Sequence, residues 1–186
     1  MTKTLTRCSW CGTDPLYMKY HDEEWGKEVH DDKILFEFLV LESAQAGLSW
    51  ITILKRRDGY RKAFADFDAY KVAQFTSEDI ERLMQDTGII RNRLKILAAI
   101  SNAKLFLKIQ DEFESFNAYM YSFLPDRKPI INHREGKNIP ASTEISDAIS
   151  KDMKKRGFKF FGTTICYAHM QATGMVNDHI MDCSFR

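Results

Sequence analysis

Asp86-Thr87-Gly88-Ile89-Ile90-Arg91 is the stretch whose reading decides the fold. It joins two segments that read as helix. The first is short, opened by Ser77 with Glu78 and Asp79 and ending near Asp86; the second is long and apolar-rich, from about Arg91 to Lys108. The pattern apolar-x-x-x-Gly-apolar-apolar-Arg fits the hairpin of a helix-hairpin-helix. There Gly88 permits a tight turn, and backbone N–H groups at the start of the second helix face a phosphate. Arg91, Arg93 and Lys95 come next and add positive charge. Such a contact is independent of base sequence. Helix-glycine-helix turns are common in α-proteins, so the turn alone names no function.

Working outward, helix signals dominate and strand signals are weak. Asp31 or Asp32 caps a helix to about Ala46, and Ser49 caps the next through Arg57. Glu112 to Phe123 is another. Ser142 or Thr143 starts one to about Lys155, which Gly157 ends, and Gly162 to Thr173 is helical again. Leu124 to Ala141, with Pro125, Pro129, Gly136 and Pro140, reads as the one long loop. No repeat or linker interrupts the chain. The expectation is an all-α fold, one domain over residues 1–186 with two closely associated lobes and the hairpin unit at about 78–108.

The 186 residues suffice for a sizeable core, and 44% hydrophobic with 28% charged residues is ordinary for a soluble protein. No apolar run approaches the roughly 20 residues of a membrane span. Met1 to Trp10 lacks the apolar core of a secretory signal. A cytosolic protein with no membrane partner is expected. Net charge is +1, so any nucleic-acid contact depends on distribution rather than bulk charge. Acids crowd His21–Asp32. Cations cluster at Lys55, Arg56, Arg57, Arg61 and Lys62, at Arg91, Arg93 and Lys95, and at Lys151, Lys154, Lys155, Arg156 and Lys159.

The four cysteines are Cys8, Cys11, Cys166 and Cys183. In a reducing compartment they raise the question of metal rather than disulfides. Cys8 and His21 lie near one terminus, His179 and Cys183 near the other. The last two are spaced i, i+4, one face if that segment is helical. Two thiolates and two imidazoles suit tetrahedral zinc with no open position, hence a structural ion tying the termini together. Cys8 and Cys11 also form a CxxC that could supply two ligands instead. Spacing does not choose between these sets.

Glu42 is the residue out of place. Stepping about 100° per residue along its helix sets it between Leu35 and Phe38, on the apolar stripe, with Glu37 further toward the lysine side. A buried carboxylate is costly without a partner, and its pKa rises. It is either a functional group or a structural cap for a neighbouring helix. Trp10, Tyr17, Tyr20, Trp25 and Trp50 supply aromatic surface nearby in sequence. Aromatics can sandwich an extruded base while a polar group reads its edge; Trp25 reads rather as core.

Three segments together resemble the bacterial 3-methyladenine DNA glycosylase I family, and the resemblance covers nearly the whole chain. They are Asp14-Pro15-Leu16-Tyr17 through Trp25-Gly26, Leu41-Glu42-Ser43-Ala44-Gln45-Ala46-Gly47-Leu48-Ser49-Trp50 through Lys55, and Lys155-Arg156-Gly157-Phe158-Lys159-Phe160 through Asn177-Asp178-His179. The resemblance implies a helix-hairpin-helix glycosylase fold with one structural zinc on Cys8, His21, His179 and Cys183. It places Glu42, Tyr20, Trp50 and Trp10 around the base. The implied reaction is hydrolysis of the N-glycosidic bond of 3-methyladenine in alkylated double-stranded DNA, releasing free base. Most enzymes of the wider superfamily carry a catalytic aspartate after the hairpin, some a lysine nucleophile within it. Here Asn92 and Lys95 lie in the hairpin's second helix and no such aspartate is evident, which implies a monofunctional enzyme. A monomer is expected, since the task needs one continuous DNA-binding face. The rival reading is a non-catalytic helix-hairpin-helix DNA-binding module with a structural zinc.

Overall fold

A computed structural model describes residues 5–135 and 139–186; residues 1–4 and 136–138, with Gly136 of the expected loop, lie outside the described residues. The helices are α1 (Pro15–Glu23), α2 (Asp32–Gln45), α3 (Trp50–Leu54), α4 (Arg57–Ala63), α5 (Ala69–Ala73), α6 (Ser77–Gln85), α7 (Arg93–Phe113), α8 (Phe116–Tyr121), α9 (Glu144–Arg156) and α10 (Thr163–Ala172). Two short strands, β1 (Ile130–Ile131) and β2 (Val176–Asn177), pair in parallel. The expected all-α class holds.

The architecture turns on α2. The Asp31 carboxylate accepts from the N–H groups of Lys33 and Ile34 and starts the helix. From Leu35 to Ala44 every residue is buried, because α3, α4, α7, α8 and α10 pack around it. Over that stretch α2 has no solvent face. Glu37, expected on the lysine side, is therefore buried too, and Arg57 and Arg61 neutralise it at 2.5 and 2.9 Å.

Sequence boundaries shift where side chains cap differently. α7 starts at Arg93 because the Asn92 side chain accepts from the Lys95 N–H. It runs on to Phe113 and stops at Glu114, which is left-handed (φ 69°). α8 then begins after the Ser115 cap, with the Phe116 and Asn117 N–H groups donating to Asp32. The single helix expected from Ser49 to Arg57 breaks at Arg56 (φ −108°, ψ 2°) and resumes as α4. α1 is announced by Asp14-Pro15, a side-chain cap followed by proline in the first turn. The proline-rich loop is not wholly irregular: β1 lies within it and fastens it to the C-terminal segment.

Gly88 joins α6 to α7 as expected, for a different reason. It does not adopt a left-handed conformation. Its value is closeness: a Cβ on Gly59 of α4 would lie 2.2 Å from the Gly88 carbonyl oxygen. Two glycines let the hairpin and α4 touch backbone to backbone. The Gly88 N–H donates to the Asp86 carboxylate at 2.7 Å, and the Ile90 N–H to the Tyr60 hydroxyl at 3.2 Å.

Candidate active site and metal cluster

Beside α2 lies a cavity of about 260 Å³ lined by Trp10, Tyr17, Tyr20, Trp25, Glu42, Gln45, Trp50, Ile139, Ala168 and Gln171. α1 brings Tyr17 and Tyr20 a turn apart, α2 brings Glu42, and the first residue of α3 is Trp50. Trp10 sits in a 3-10 turn over Ser9–Cys11. Its ring lies 5.2 Å from that of Tyr17, 6.4 Å from Tyr20 and 4.8 Å from Trp25. On the far wall Trp50 lies 5.4 Å from Tyr20 and is backed by Phe38, stacked at 6.4 Å. The walls are mostly aromatic, and the space is below the roughly 300–1,000 Å³ of pockets that take drug-sized ligands. It suits one flat ring system rather than a whole nucleotide.

Glu42 is 2% exposed, and its Oε2 has no hydrogen-bond partner among the described residues. Burial alone pushes its pKa up to about 8. The indole N–H groups of Trp10 and Trp50 are also buried without acceptors among the described residues. Three side chains that line one cavity thus each carry a buried polar atom that would normally be satisfied. Burial, and then the nearby Glu42, hold the Tyr20 phenol well above its ordinary pKa, so it stays a neutral donor. Trp25, read from sequence as core, is 6% exposed and also forms part of the cavity wall.

A second cluster adjoins the first through His21, next to Tyr20. The ligating atoms of Cys8, His21, His179 and Cys183, all buried, lie within 4.8 Å of one another. Cys183 Sγ is 3.2 Å from His179 Nδ1 and 3.6 Å from His21 Nε2; Cys8 Sγ is 3.6 Å from His179 Nδ1. With Zn–S near 2.3 Å and Zn–N near 2.0–2.1 Å, tetrahedral geometry sets neighbouring sulfur and nitrogen ligands roughly 3.5 Å apart. The other ring nitrogens are engaged. His21 Nδ1 lies 2.8 Å from Asp22, itself gripped by Arg7, and His179 Nε2 lies 3.0 Å from the Trp25 carbonyl. Such outer partners fix the tautomer and aim the ligating nitrogen inward. Burial depresses the pKa of both histidines and pushes the Cys8 thiol up to about 12. Neutral imidazoles, a Cys8 thiol that needs a nearby cation to ionise, and a second buried sulfur on Cys183 fit a soft divalent metal. Cys11 takes no part: its thiol donates to the Cys8 carbonyl at 3.2 Å.

His179 and Cys183 do not meet on a helix. The chain leaves β2, bridges Arg134 at Ile180, and folds back so that the Cys183 N–H donates to the Ile180 carbonyl. Asp178 anchors this segment, accepting from Asn132, Arg134, Tyr167 and Gln171.

The basic stretches differ in how far acids neutralise them. Arg57 and Arg61 neutralise Glu24 and Glu37, and Arg156 pairs with Glu112 and Asp152. Arg93 pairs with Glu81 at 2.6 Å, while Arg91 is exposed and forms no ion pair among the described residues. Gln45, Ala168, Gln171 and Ile139 line the cavity without having been singled out from sequence. Gln45 falls inside the Leu41–Lys55 segment and Gln171 inside the Lys155–His179 segment, but no local pattern marks either as a site residue.

The sequence profile of the methyladenine glycosylase family matches residues 10–186. The chain belongs to that family. It is 52% identical to DNA-3-methyladenine glycosylase 1 of Escherichia coli and 49% identical to DNA-3-methyladenine glycosylase of Haemophilus influenzae, over 96% of each chain in both cases. A structure described as the structural basis of 3-methyladenine recognition by the Staphylococcus aureus glycosylase I superposes with a TM-score of 0.93 at 38% identity, covering 98% of this chain and 97% of that one.

Proposed function

We propose that this protein is a monofunctional DNA-3-methyladenine glycosylase. It hydrolyses the N-glycosidic bond of the methylated base, releases free 3-methyladenine and leaves an abasic site. The observation that carries the reading is Glu42, whose Oε2 has no partner among the described residues, in the wall of an aromatic cavity large enough for one base. Methylation at N3 makes adenine cationic in DNA and weakens its glycosidic bond, so leaving-group activation is a small part of the task. The lesion leaves the duplex and enters the cavity. Trp10 and Trp50 stack on the charged ring, an interaction of about 1–2 kcal/mol, with Tyr17 completing the wall. Glu42, ionised by the guest, accepts from the adenine edge, and Tyr20 orients the base. A water then attacks the sugar carbon, its approach favoured by charge preorganised around the leaving group.

The remaining assignments belong to the same reading. A zinc ion on Cys8, His21, His179 and Cys183 would be structural, since four protein ligands leave no position for substrate. Gly88, Arg91 and Arg93 form the backbone contact with double-stranded alkylated DNA. The two lobes act as one domain, the protein works as a monomer, and its place is the cytoplasm with the DNA. The test is release of free 3-methyladenine from methylated DNA by the wild type and by Glu42→Gln. The wild type should release it and the variant should be strongly impaired; binding without release would favour a non-catalytic DNA-binding module.

A further inference from the structure

Lys95 reads in the sequence as the third cation of the hairpin. In the structure its side chain turns inward. Its Nζ donates to the carbonyls of Ala44 and Ala46 at 2.7 and 2.6 Å, and it forms no ion pair among the described residues. The stem is half-buried beside Val40, Ala44, Tyr60 and Ile96. Burial lowers its pKa.

The two carbonyls belong to the end of α2, which lacks an ordinary close. Ala46 (φ −43°, ψ 117°) donates no backbone hydrogen bond back into the helix among the described residues, whereas the residues that close α1, α4 and α10 do. The last carbonyls of a helix carry partial negative charge and need donors. Lys95 supplies them from another helix. Beyond Ala46 the chain turns sharply through Gly47 (φ 78°) and Leu48, whose N–H donates to the Gln45 carbonyl at 2.6 Å. This turn separates Gln45 from Trp50, both on the cavity wall, and Leu48 stands 40% exposed on it.

We propose that Lys95 is a positioning residue that ties the hairpin to the base pocket. It holds the turn over residues 46–49 in place and thereby fixes Trp50 and Gln45. Two further contacts make the hairpin a rigid mount for it. Gly88 lies against Gly59, and the Ile90 N–H is bound by the Tyr60 hydroxyl. A hairpin seated on DNA thus sets the pocket wall through one ammonium group and two carbonyls. Lys95 is neither a phosphate contact nor a nucleophile.

This inference rests on the glycosylase reading for its activity arm and stands without it for its structural arm. The structural arm is amide hydrogen exchange at Leu48, whose N–H is bonded to the Gln45 carbonyl, and across the last turn of α2, in wild type, Lys95→Met and Lys95→Arg. Loss of the ammonium should accelerate exchange there by about tenfold or more, with α7 less affected. Lys95→Arg, which keeps charge and donors, should restore most of the protection. Unchanged exchange in Lys95→Met overturns the proposal. The activity arm is single-turnover excision from methylated duplex, measured well below the melting temperature with saturating enzyme. Lys95→Met should slow it by about tenfold or more, as misplaced pocket groups do, while affinity for undamaged duplex stays within about threefold of wild type. Reduced duplex affinity with a smaller salt dependence and an unchanged saturated rate would make Lys95 a phosphate contact and overturn the proposal. A rate loss matching only the unfolded fraction would also overturn it. If the wild type excises nothing, the glycosylase reading falls, and the exchange data still decide the role of Lys95.

Discussion

Two buried clusters share α1 as a wall and treat their polar groups in opposite ways. Around Cys8, His21, His179 and Cys183 the outer contacts are complete: Asp22 holds one imidazole, the Trp25 carbonyl the other, and Arg7 holds Asp22. Around Glu42 they are missing. Its Oε2 and the indole N–H groups of Trp10 and Trp50 have no partners among the described residues, and all three side chains line one cavity. A buried polar group left unpaired costs about 1–3 kcal/mol, and more if charged. The fold accepts that cost on one side of α1 and avoids it on the other. On the proposed reading the first arrangement serves structure, and the second is completed by a guest.

The sharpest way to break this contrast is at the finished cluster, where the largest effect is expected. Cys183→Ser, or a strong chelator, should remove at least about 3 kcal/mol of stability, because binding free energy at a structural metal site is folding free energy. The loss should centre on the two termini that the cluster joins. Melting curves and hydrogen exchange measure it. Excision by the fraction that remains folded should persist. A fully folded, metal-free protein that has lost all turnover would mean that the cluster takes part in chemistry.

Glu42→Gln tests the unfinished side. The amide keeps size and most hydrogen bonding but loses the charge. Excision and affinity for a cationic methylated purine should both fall by about 10- to 100-fold, the usual worth of a charged hydrogen bond. Affinity for undamaged duplex should hardly change. The pH response carries a definite sign. Burial raises the carboxyl from 4.5 to about 8, so the folded state retains a proton that the unfolded state releases. The stability due to neutral Glu42 is full below about 4.5 and is lost as pH rises toward about 8. At pH 9 Glu42→Gln should therefore be more stable than wild type by about 1–3 kcal/mol. Binding of a cationic purine at pH 7 should expel a proton in wild type and none in the variant. Calorimetry in two buffers of different ionisation enthalpy reads it. A glutamate that merely caps a neighbouring helix would lower stability when changed, with base affinity intact.

Glu42 was legible because a carboxylate on an apolar stripe is a one-dimensional anomaly, visible from helical period alone. The helix caps at Asp31 and Thr143 belong to the same class of local chemistry. What the sequence hid is set by contacts between distant segments. His179 and Cys183 have helical spacing, yet a turn after β2 brings them together. Gly88 looked like a conformational necessity and is a packing one, since its partner Gly59 lies on another helix. Arg57, Arg61 and Lys95 read as cations for a phosphate backbone. Glu24, Glu37 and two carbonyls, remote in sequence, claim them. Gln171 enters the cavity from α10, more than a hundred residues beyond Glu42, and no local pattern marks it.

The smallest effect is expected outside both clusters, at the hairpin surface, and it sharpens the contrast by separating grip from recognition. Arg91 is exposed and forms no ion pair among the described residues, whereas Arg93 already holds Glu81 at 2.6 Å. A phosphate that recruits Arg91 meets a free guanidinium; one that recruits Arg93 must first displace a carboxylate. Arg91→Gln should thus weaken binding to damaged and undamaged duplex alike by a few-fold, and reduce the slope of log K against log salt by about 0.9. Arg93→Gln should do less on both counts. Neither side chain lines the cavity, so affinity for the free base should stay at the wild-type value in both. Titrations at several salt concentrations, run beside calorimetry with free 3-methyladenine, make the comparison. If Arg91→Gln selectively weakened the free base, the hairpin and the pocket would not be separate devices. If Arg93→Gln cost more duplex affinity than Arg91→Gln, the Glu81 pair would be orienting that arginine toward the backbone rather than withholding it.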